Sequence, residues 1–362
     1  MNNMHKECAQ KRRLARKIHI WKIFRTRDLC LRTLDTNSTC AKSMRGMEGN
    51  MNILGIDAGG TKTHCMITDE SKRILSEAIA GPAQHQIYGI EQTRQSLKTA
   101  VGEALERAEL EITDIQYGVF GMSGADGPDD FEVLIPVVHE IMGDIPFQVV
   151  HDAWLGFYSV IEGDIGVVSI CGTGAGHAGR NRQGEQLTLR NLDYITGNLG
   201  GGSDLADKVL HYGFRSEEGT WDKSLLEQLI PPVFDVEDME QVCTILKQGK
   251  MTAKQRYQLP ILAFQAAEKG DKVSRKLLSD MGYEEGRYAA AVIKRLGMEQ
   301  EQVPVVLIGS LFHTDNPYLV DSYMSAVQEV CHGAYKVIPE AAPVMGAINL
   351  GIRSISKKRV QK

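Results

Sequence analysis

The chain has 362 residues, enough for two domains of ordinary size, and its 43% hydrophobic and 24% charged residues are typical of globular proteins. The formal net charge of −5 argues against a nucleic-acid-binding surface over the whole chain. No run approaches the roughly 18 apolar residues that a membrane span needs. We therefore expect a globular protein with neither a nucleic-acid partner nor a membrane span.

Residues 1–50 differ from the rest in charge. They carry 12 Lys and Arg against 4 Asp and Glu, whereas the remainder carries 29 against 42. The stretch KRRLARKIHIWKIFRTRDLCLR (11–32) is basic with scattered apolar residues, and a targeting arm, an anionic-surface helix and a transit peptide are functional interpretations of it. The simplest interpretation is a non-structural extension, with the working protein beginning at Met47 or Met51.

The seven cysteines are scattered along the chain and form no CxxC pair. Zinc ribbons and thioredoxin-like chemistry therefore have no support in the sequence. The pattern is typical of free thiols in a reducing compartment, and we expect a cytoplasmic protein.

From Met51 onward, strand and helix patterns alternate. Short apolar runs bounded by turn residues predict strands, and apolar residues at helical spacing predict helices. In the first half, the predicted elements are strands at 53–57, 62–69 and 73–81, a helix at 91–109, strands at 117–124 and 147–152, and a helix at 153–163.

The pattern then restarts, with two strands within 164–181 around a second glycine turn. Residues 199–300 are mostly helical in pattern, and Pro231, Pro232 and Pro260 are expected to break those helices. The closing elements are a strand at 303–310, a helix at 316–331, a strand at 334–339 and a helix at 342–355.

The first turn, DAGGTKT (57–63), joins two strands. It is neither a P-loop nor a dinucleotide fingerprint, because the glycines of those motifs precede a helix. The backbone N–H groups of Gly59, Gly60 and Thr61, with Lys62 nearby, suit phosphate oxygens, and Asp57 suits a hydrated Mg²⁺. An ordinary hairpin with a Gly-Gly turn is the alternative.

A second strand ends in Gly-Thr-Gly within SICGTGAG (169–176). Two such hairpins that face each other can clamp one polyphosphate from both sides. Between them in sequence lies Asp152, at the end of a strand and before a helix. An N-cap is the alternative role for this residue, and the two roles are compatible.

Together these motifs resemble the sugar-kinase branch of the actin/hexokinase/Hsp70 ATPase superfamily. Within that branch the chain looks like the BadF/BadG/BcrA/BcrD-type family, which includes N-acetylglucosamine kinases. The resemblance covers about residues 51–355. Its motifs are DAGGTKT (57–63, first phosphate motif), GMSGADGPDD (121–130, loop after the third-motif strand), HDAWLG (151–156, catalytic Asp), CGTGAG (171–176, second phosphate motif), LIGSLF (307–312, adenosine motif) and APVMGAINLG (342–351, closing helix).

The resemblance implies an α/β fold with two actin-like ATPase (ribonuclease H-like) lobes and a central cleft. Residues 51–160 and the closing helix at 342–356 would form the N-terminal lobe. Residues 161–341 would form the C-terminal lobe with a helical insertion.

The resemblance also implies ATP-dependent phosphorylation of a hydroxyl of an amino sugar, with N-acetylglucosamine as the expected substrate. Asp152 would be the general base, and Asp57 would position Mg²⁺. The residues expected to hold ATP are Asp57, Gly59, Gly60, Thr61, Lys62, Gly172, Thr173, Gly174, Gly309 and Ser310. Those expected to contact the sugar are Gln84, His85, Ser123, Gly124 and Asn198.

Two departures from the family pattern concern the sugar site. Sugar kinases of this type often place Asn-His after the third strand, where this chain has Gln84 and His85. An acidic Gly-Asp-Glu-Gly-like segment is replaced by TGNLGGGSD (196–204), in which Asn198 supplies no charge. Asp204 is a candidate for compensation, although its place at a helix start also suits a cap.

Two other functions remain open at this point. One is the ATPase activator of a 2-hydroxyacyl-CoA dehydratase or benzoyl-CoA reductase, which holds an iron–sulfur cluster through cysteines between two subunits. The other is a non-catalytic sugar-binding relative. A homodimer is expected by analogy alone.

Overall fold

The computed structural model describes residues 51–161, 163, 165–190 and 194–360, with side chains described up to residue 356. The expectations for residues 1–50 lie outside this part of the chain. The described residues belong to one compact unit. Within them, no helix combines the length and the apolar character that crossing a membrane requires.

The first half of the described chain builds a five-stranded mixed sheet in the order β3-β2-β1-β4-β5. The hairpin strands β1, β2 and β3 are antiparallel, whereas β1, β4 and β5 run parallel. Because parallel strands end at the same edge, the residues that follow β1, β4 and β5 come together there. The elements are β1 (Asn52–Ala58), β2 (Thr63–Thr68), β3 (Ile74–Ala80), α1 (His85–Ala108), β4 (Ile115–Met122), α2 (Pro128–Met142) and β5 (Phe147–His151).

A second five-stranded sheet repeats this topology in the order β10-β9-β6-β7-β8. Here β6, β7 and β8 are antiparallel, and β6, β9 and β10 are parallel. The similarity of the two strand-turn-strand openings in the sequence is therefore a similarity of whole sheets. The strands are β6 (Gly166–Cys171), β7 (Ala175–Arg180), β8 (Gln186–Thr188), β9 (Pro304–Ile308) and β10 (Tyr335–Val337).

Two helices pack against strands of both sheets, namely α3 (Ala153–Val160) and α10 (Val344–Val360). One cluster of buried side chains contains Leu155 of α3, Val119 of β4, Val306 of β9 and Ala347 of α10. The helices approach closely, since a Cβ on Gly346 would lie 1.8 Å from the carbonyl oxygen of Leu155. The side chains of α3 therefore pack against strands of both sheets.

Residues 201–295 are mostly helical, as the pattern over 199–300 predicts, but the expected break at Pro260 is wrong. Pro260 lies inside a continuous helix, and its buried ring packs beside Gly202. That packing offsets the one backbone hydrogen bond that proline cannot donate. Pro231 and Pro232 do interrupt, because they begin a 3₁₀ turn. The helices are α4 (Gly201–Glu217), α5 (Leu226–Leu229), α6 (Met239–Lys247), α7 (Ala253–Glu268), α8 (Lys272–Arg295) and α9 (Pro317–Gln328).

Candidate active site

Two carboxylates meet at the edge of the first sheet. Asp57 is the penultimate residue of β1, and Asp152 directly follows β5. Burial and, to a smaller extent, the Asp152 carboxylate raise the pKa of Asp57 to about 6, although Lys62 acts in the opposite direction. The fold therefore brings Asp152 into the electrostatic surroundings of Asp57 and Lys62, which belong to a distant stretch of the sequence.

Asp152 does not act as a helix cap. It precedes α3, but its backbone is already helical and its side chain accepts no capping hydrogen bond from the first turn. The alternative that the sequence left open for this residue is therefore not realised. Its carboxylate lies instead 3.0 Å from Nδ1 of His151.

The first glycine turn is organised by its own backbone and by α1. The Gly59 amide donates to the Lys62 carbonyl at 2.9 Å, so it is already engaged. Tyr88 donates its hydroxyl hydrogen to the Gly60 carbonyl at 2.9 Å. A Cβ on Gly60 would lie 2.9 Å from Oε1 of Gln84. Among the described residues the amides of Gly60 and Thr61 have no acceptor, so the turn presents two unengaged N–H groups.

The second glycine turn has the same organisation. The Gly172 amide donates to the Gly174 carbonyl at 2.9 Å, which leaves the Thr173 and Gly174 amides as donors. The start of α4 supports the turn, because the amides of Gly202 and Ser203 donate to the carbonyls of Gly172 and Thr173. Two amides of the first turn of α4 are thus engaged with the glycine turn.

A cavity of about 260 Å³ opens beside the second glycine turn. Gly172, Thr173 and Ser310, all expected to hold ATP, lie in its wall. α7 also lines the cavity, through Tyr257, which is 60% exposed, and Ile261, which is 51% exposed. The remaining lining residues are Gly202, Ser203, Arg256, Pro260, Phe264, Leu311 and Thr314. A pocket lined by apolar side chains and by a glycine turn with unengaged amides is chemically suited to a nucleotide.

The backbone geometry of the loop after β9 requires glycine at position 309. Its φ is +99°, and a Cβ would lie 2.4 Å from the carbonyl oxygen of Cys171. The glycine thus allows the loop after β9 to approach the end of β6 closely. It sets the position of Ser310 in the cavity wall.

Polar side chains form a continuous network beyond Asp152. His151 Nδ1 lies 3.0 Å from Oδ1 of Asp152, and His151 Nε2 lies 3.1 Å from Oδ1 of Asp126. Gln86 donates to the Gly124 carbonyl and to Asp126 and Asp130. His85 Nε2 lies 3.0 Å from Oδ1 of Asp130.

The residues expected to contact sugar lie in three places. His85 and Gly124 belong to the polar network, and Ser123 lies next to it with its amide bonded to the Ala58 carbonyl. Gln84 faces the first glycine turn instead. Asn198 lies near the second turn, where its side chain donates to the Ala175 carbonyl at 3.2 Å.

Two buried titratable side chains lie under the segment that contains Asn198. Glu285 of α8 and His177 of β7 are 2.9 Å apart, and both side chains are 0% exposed. Burial raises the pKa of Glu285, and His177 opposes that change. A Cβ on Gly200 would lie 1.5 Å from Oε1 of Glu285, so this glycine segment rests directly on the carboxylate.

Sequence reasoning did not identify two sets of site residues. Tyr257 and Ile261 have the i, i+4 spacing of any amphipathic helix, so only the tertiary structure assigns them to the cavity. His151 and Asp126 lie inside motifs that the sequence singled out. Their role depends on distances that a motif does not contain.

The model of the BadF/BadG/BcrA/BcrD ATPase family matches residues 54–351, and the chain belongs to this family. The family membership predicted from the motifs is thereby confirmed.

Two curated relatives cover most of the chain. The chain is 27% identical over 273 residues to the N-acetylmuramic acid/N-acetylglucosamine kinase of Clostridium acetobutylicum, which covers 75% of this chain and 88% of the relative. It is 26% identical over 313 residues to the N-acetyl-D-glucosamine kinase of Dictyostelium discoideum, which covers 83% of this chain and 98% of the relative.

Solved structures share the fold. A candidate N-acetylglucosamine kinase from Chromobacterium violaceum superposes with a TM-score of 0.64 at 20% identity, over 84% of this chain and 99% of its own. A ROK family glucokinase from Streptomyces griseus gives 0.53 at 15% identity, over 84% and 98%. The α/β fold with two mixed sheets is therefore that of known sugar kinases.

Proposed function

We propose that this protein is an ATP-dependent kinase that phosphorylates a hydroxyl of an amino sugar, with N-acetylglucosamine as the substrate. The observation that carries the proposal is the uncapped Asp152 carboxylate beside Asp57, at a sheet edge next to a glycine turn with two unengaged amides. The two curated relatives, both named as kinases of N-acetylated amino sugars, support the same substrate class.

In this proposal each sheet is the core of one lobe. Residues 51–160 with 342–356 form the N-terminal lobe, and residues 161–341 form the C-terminal lobe with the helices 201–295 as its insertion. The repeated strand order supports this division. One glycine turn belongs to each sheet, so the phosphates of ATP bind in the cleft between the lobes.

ATP is held chiefly by the second sheet. Its adenosine occupies the cavity between Ser310 and the exposed side chains of Tyr257 and Ile261. The amides of Thr173 and Gly174 face the phosphates from one side and those of Gly60 and Thr61 from the other. Lys62 adds a positive charge at the first turn.

The residues at the sheet edge fit a Mg²⁺ ion. Mg²⁺ prefers oxygen ligands, and Asp57 is a half-buried carboxylate whose pKa is raised by burial and by the nearby Asp152, so an adjacent cation would relieve both effects. When bound, the ion neutralises charge on the transferred phosphoryl group. Asp57 would hold it directly or through water.

Asp152 is the general base. Its carboxylate accepts the proton of the sugar hydroxyl while the oxygen attacks the γ-phosphoryl group. Because a bound sugar excludes water from the cleft, transfer to water is suppressed. Asp152 forms no capping bond that this role would break.

The experiment is ADP release from MgATP with N-acetylglucosamine, glucosamine, N-acetylmannosamine or glucose, for the wild type and Asp152→Asn. We expect turnover that depends on N-acetylglucosamine and falls by at least about a thousandfold in the variant. Turnover without dependence on any sugar, or equal turnover in the variant, would contradict the proposal.

The activator alternative has less support. Cys65, Cys171 and Cys331 are buried, whereas a cluster shared between subunits needs cysteines at a surface. Iron measured in the purified protein would favour it nonetheless. The homodimer stays a prediction, which sedimentation equilibrium tests directly.

A further inference from the structure

The strongest unassigned feature is a chain of three groups, Asp152, His151 and Asp126, which we term the carboxylate–imidazole chain. The His151 imidazole lies 3.0 Å from a carboxylate oxygen of Asp152 and 3.1 Å from one of Asp126. The His151 side chain is only 15% exposed. A buried ring between two carboxylates has little freedom to rotate, so its two nitrogens are assigned to fixed partners.

Nδ1 of His151 has two neighbours at 3.0 Å, namely the Ala153 amide, which donates to it when the ring is neutral, and Oδ1 of Asp152. In the protonated ring both nitrogens carry hydrogens and are donors. Burial alone would lower the pKa of His151, but the carboxylates of Asp152 and Asp126 outweigh it and raise the pKa to about 10. The imidazolium therefore donates Nδ1–H to Asp152 and Nε2–H to Asp126.

The far end of this chain is fixed to the loop after β4. Gln86 donates to both Asp126 and the Gly124 carbonyl, at 3.2 and 3.0 Å. Asp130 accepts the amides of Asp126 and Gly127 at the start of α2. This loop contains Ser123 and Gly124, which are expected to contact the sugar, so the base and the sugar loop share one set of hydrogen bonds.

We propose that His151 is a positioning residue that orients the Asp152 carboxylate through Nδ1 and connects it through Nε2 and Asp126 to the loop that binds the sugar. The inference rests on the proposed function, because Asp152 is the base only if the protein is a sugar kinase. The physical reason is that a carboxylate misplaced by about 1 Å loses on the order of a hundredfold in rate.

Two substitutions separate the two ring nitrogens. The amide nitrogen of Asn falls near the position of Nδ1, whereas that of Gln falls near Nε2. His151→Asn therefore keeps a donor for Asp152 and loses the contact with Asp126, and His151→Gln does the opposite. His139→Gln is the matched control, because His139 is exposed on α2 and packs on Phe147 at the other end of β5.

The readouts are kcat, KM for N-acetylglucosamine and the Kd of ATP. We expect His151→Gln to lower kcat on the order of a hundredfold, and His151→Asn to lower it less but to raise the sugar KM. The Kd of ATP should stay within about twofold in both variants, and His139→Gln should match the wild type. Wild-type kcat in His151→Gln, or a smaller loss in it than in His151→Asn, would overturn the inference.

A second measurement does not depend on activity. Urea unfolding of His151→Ala, Asp126→Ala and the double variant forms a double-mutant cycle. We expect the two shifts in urea midpoint not to add, because one substitution removes the contact that the other tests. Additive shifts would overturn the inference. A wild type with no sugar-dependent turnover would instead refute the proposed function, and the cycle would still test the contact between His151 and Asp126.

Discussion

Asp57→Asn is expected to abolish the kinase activity and at the same time to stabilise the fold. Asp57 is half-buried at the same sheet edge as Asp152, and burial followed by the Asp152 charge raises its pKa to about 6 from an ordinary value of 3.8. The folded protein therefore binds this proton more tightly than the unfolded chain does. The stability linked to that proton is present at low pH and is lost as the pH rises from about 4 to 6. Asn carries no charge, so Asp57→Asn does not lose this stability as the pH rises.

The magnitude follows from the difference in pKa. At about 1.4 kcal/mol per pH unit, ionised Asp57 costs the fold about 3 kcal/mol at pH 8. At pH 4.5 the same relation gives about 1 kcal/mol, because the folded protein is then still protonated. For a protein of this size, 3 kcal/mol corresponds to an increase in Tm of about 5 °C. This is an upper value, since the Asn amide also needs hydrogen-bond partners.

The assay is thermal unfolding at pH 8 and pH 4.5 in EDTA without nucleotide, so that no cation offsets the charge. Asp57→Asn should have the higher Tm at pH 8 and a smaller advantage at pH 4.5. Asp222→Asn is the control, because Asp222 is exposed. A Tm for Asp57→Asn equal to or below that of the wild type at pH 8, or an advantage that does not change with pH, would refute the reasoning.

Three further outcomes follow from the site. In the ADP-release assay, Tyr257→Ala should raise the KM for ATP about tenfold with little change in kcat, because it removes an apolar wall of the cavity. Tyr257→Phe keeps the aromatic ring and should keep the wild-type KM. Gly200→Ala should cost at least about 3 kcal/mol of unfolding free energy, because its Cβ would collide with Glu285. Gly219→Ala, with positive φ but no neighbour within 4 Å, should cost only about 1 kcal/mol in the same urea titration. N-acetylmuramic acid carries a carboxylate that N-acetylglucosamine lacks, and the carboxylates near Asp152 should repel it. We expect kcat/KM for N-acetylmuramic acid to be at least about tenfold lower than for N-acetylglucosamine. Equal values for the two sugars would contradict this electrostatic reasoning.

The strands and the two glycine turns could be predicted from the sequence because their signals are local. An apolar run that ends in Asp57 or Cys171 and turns at glycine predicts a hairpin wherever the chain goes afterwards. The order of these motifs also predicted the family, which the match over residues 54–351 confirms. The predicted helix break at Pro260 is wrong because the rule that proline ends a helix is local, whereas the packing of its buried ring beside Gly202 decides that the helix continues.

The sequence by itself determined which residues end each strand, and therefore that Asp57 and Asp152 are strand-end acids. Only the tertiary structure decided that they lie at the same sheet edge, because that depends on β1 and β5 flanking β4 as parallel strands of one sheet. The same holds for the wall of the cavity from α7 and for His151 between two carboxylates. Such contacts join residues far apart in the chain, and their distances are set by how sheets and helices pack, which no local pattern contains.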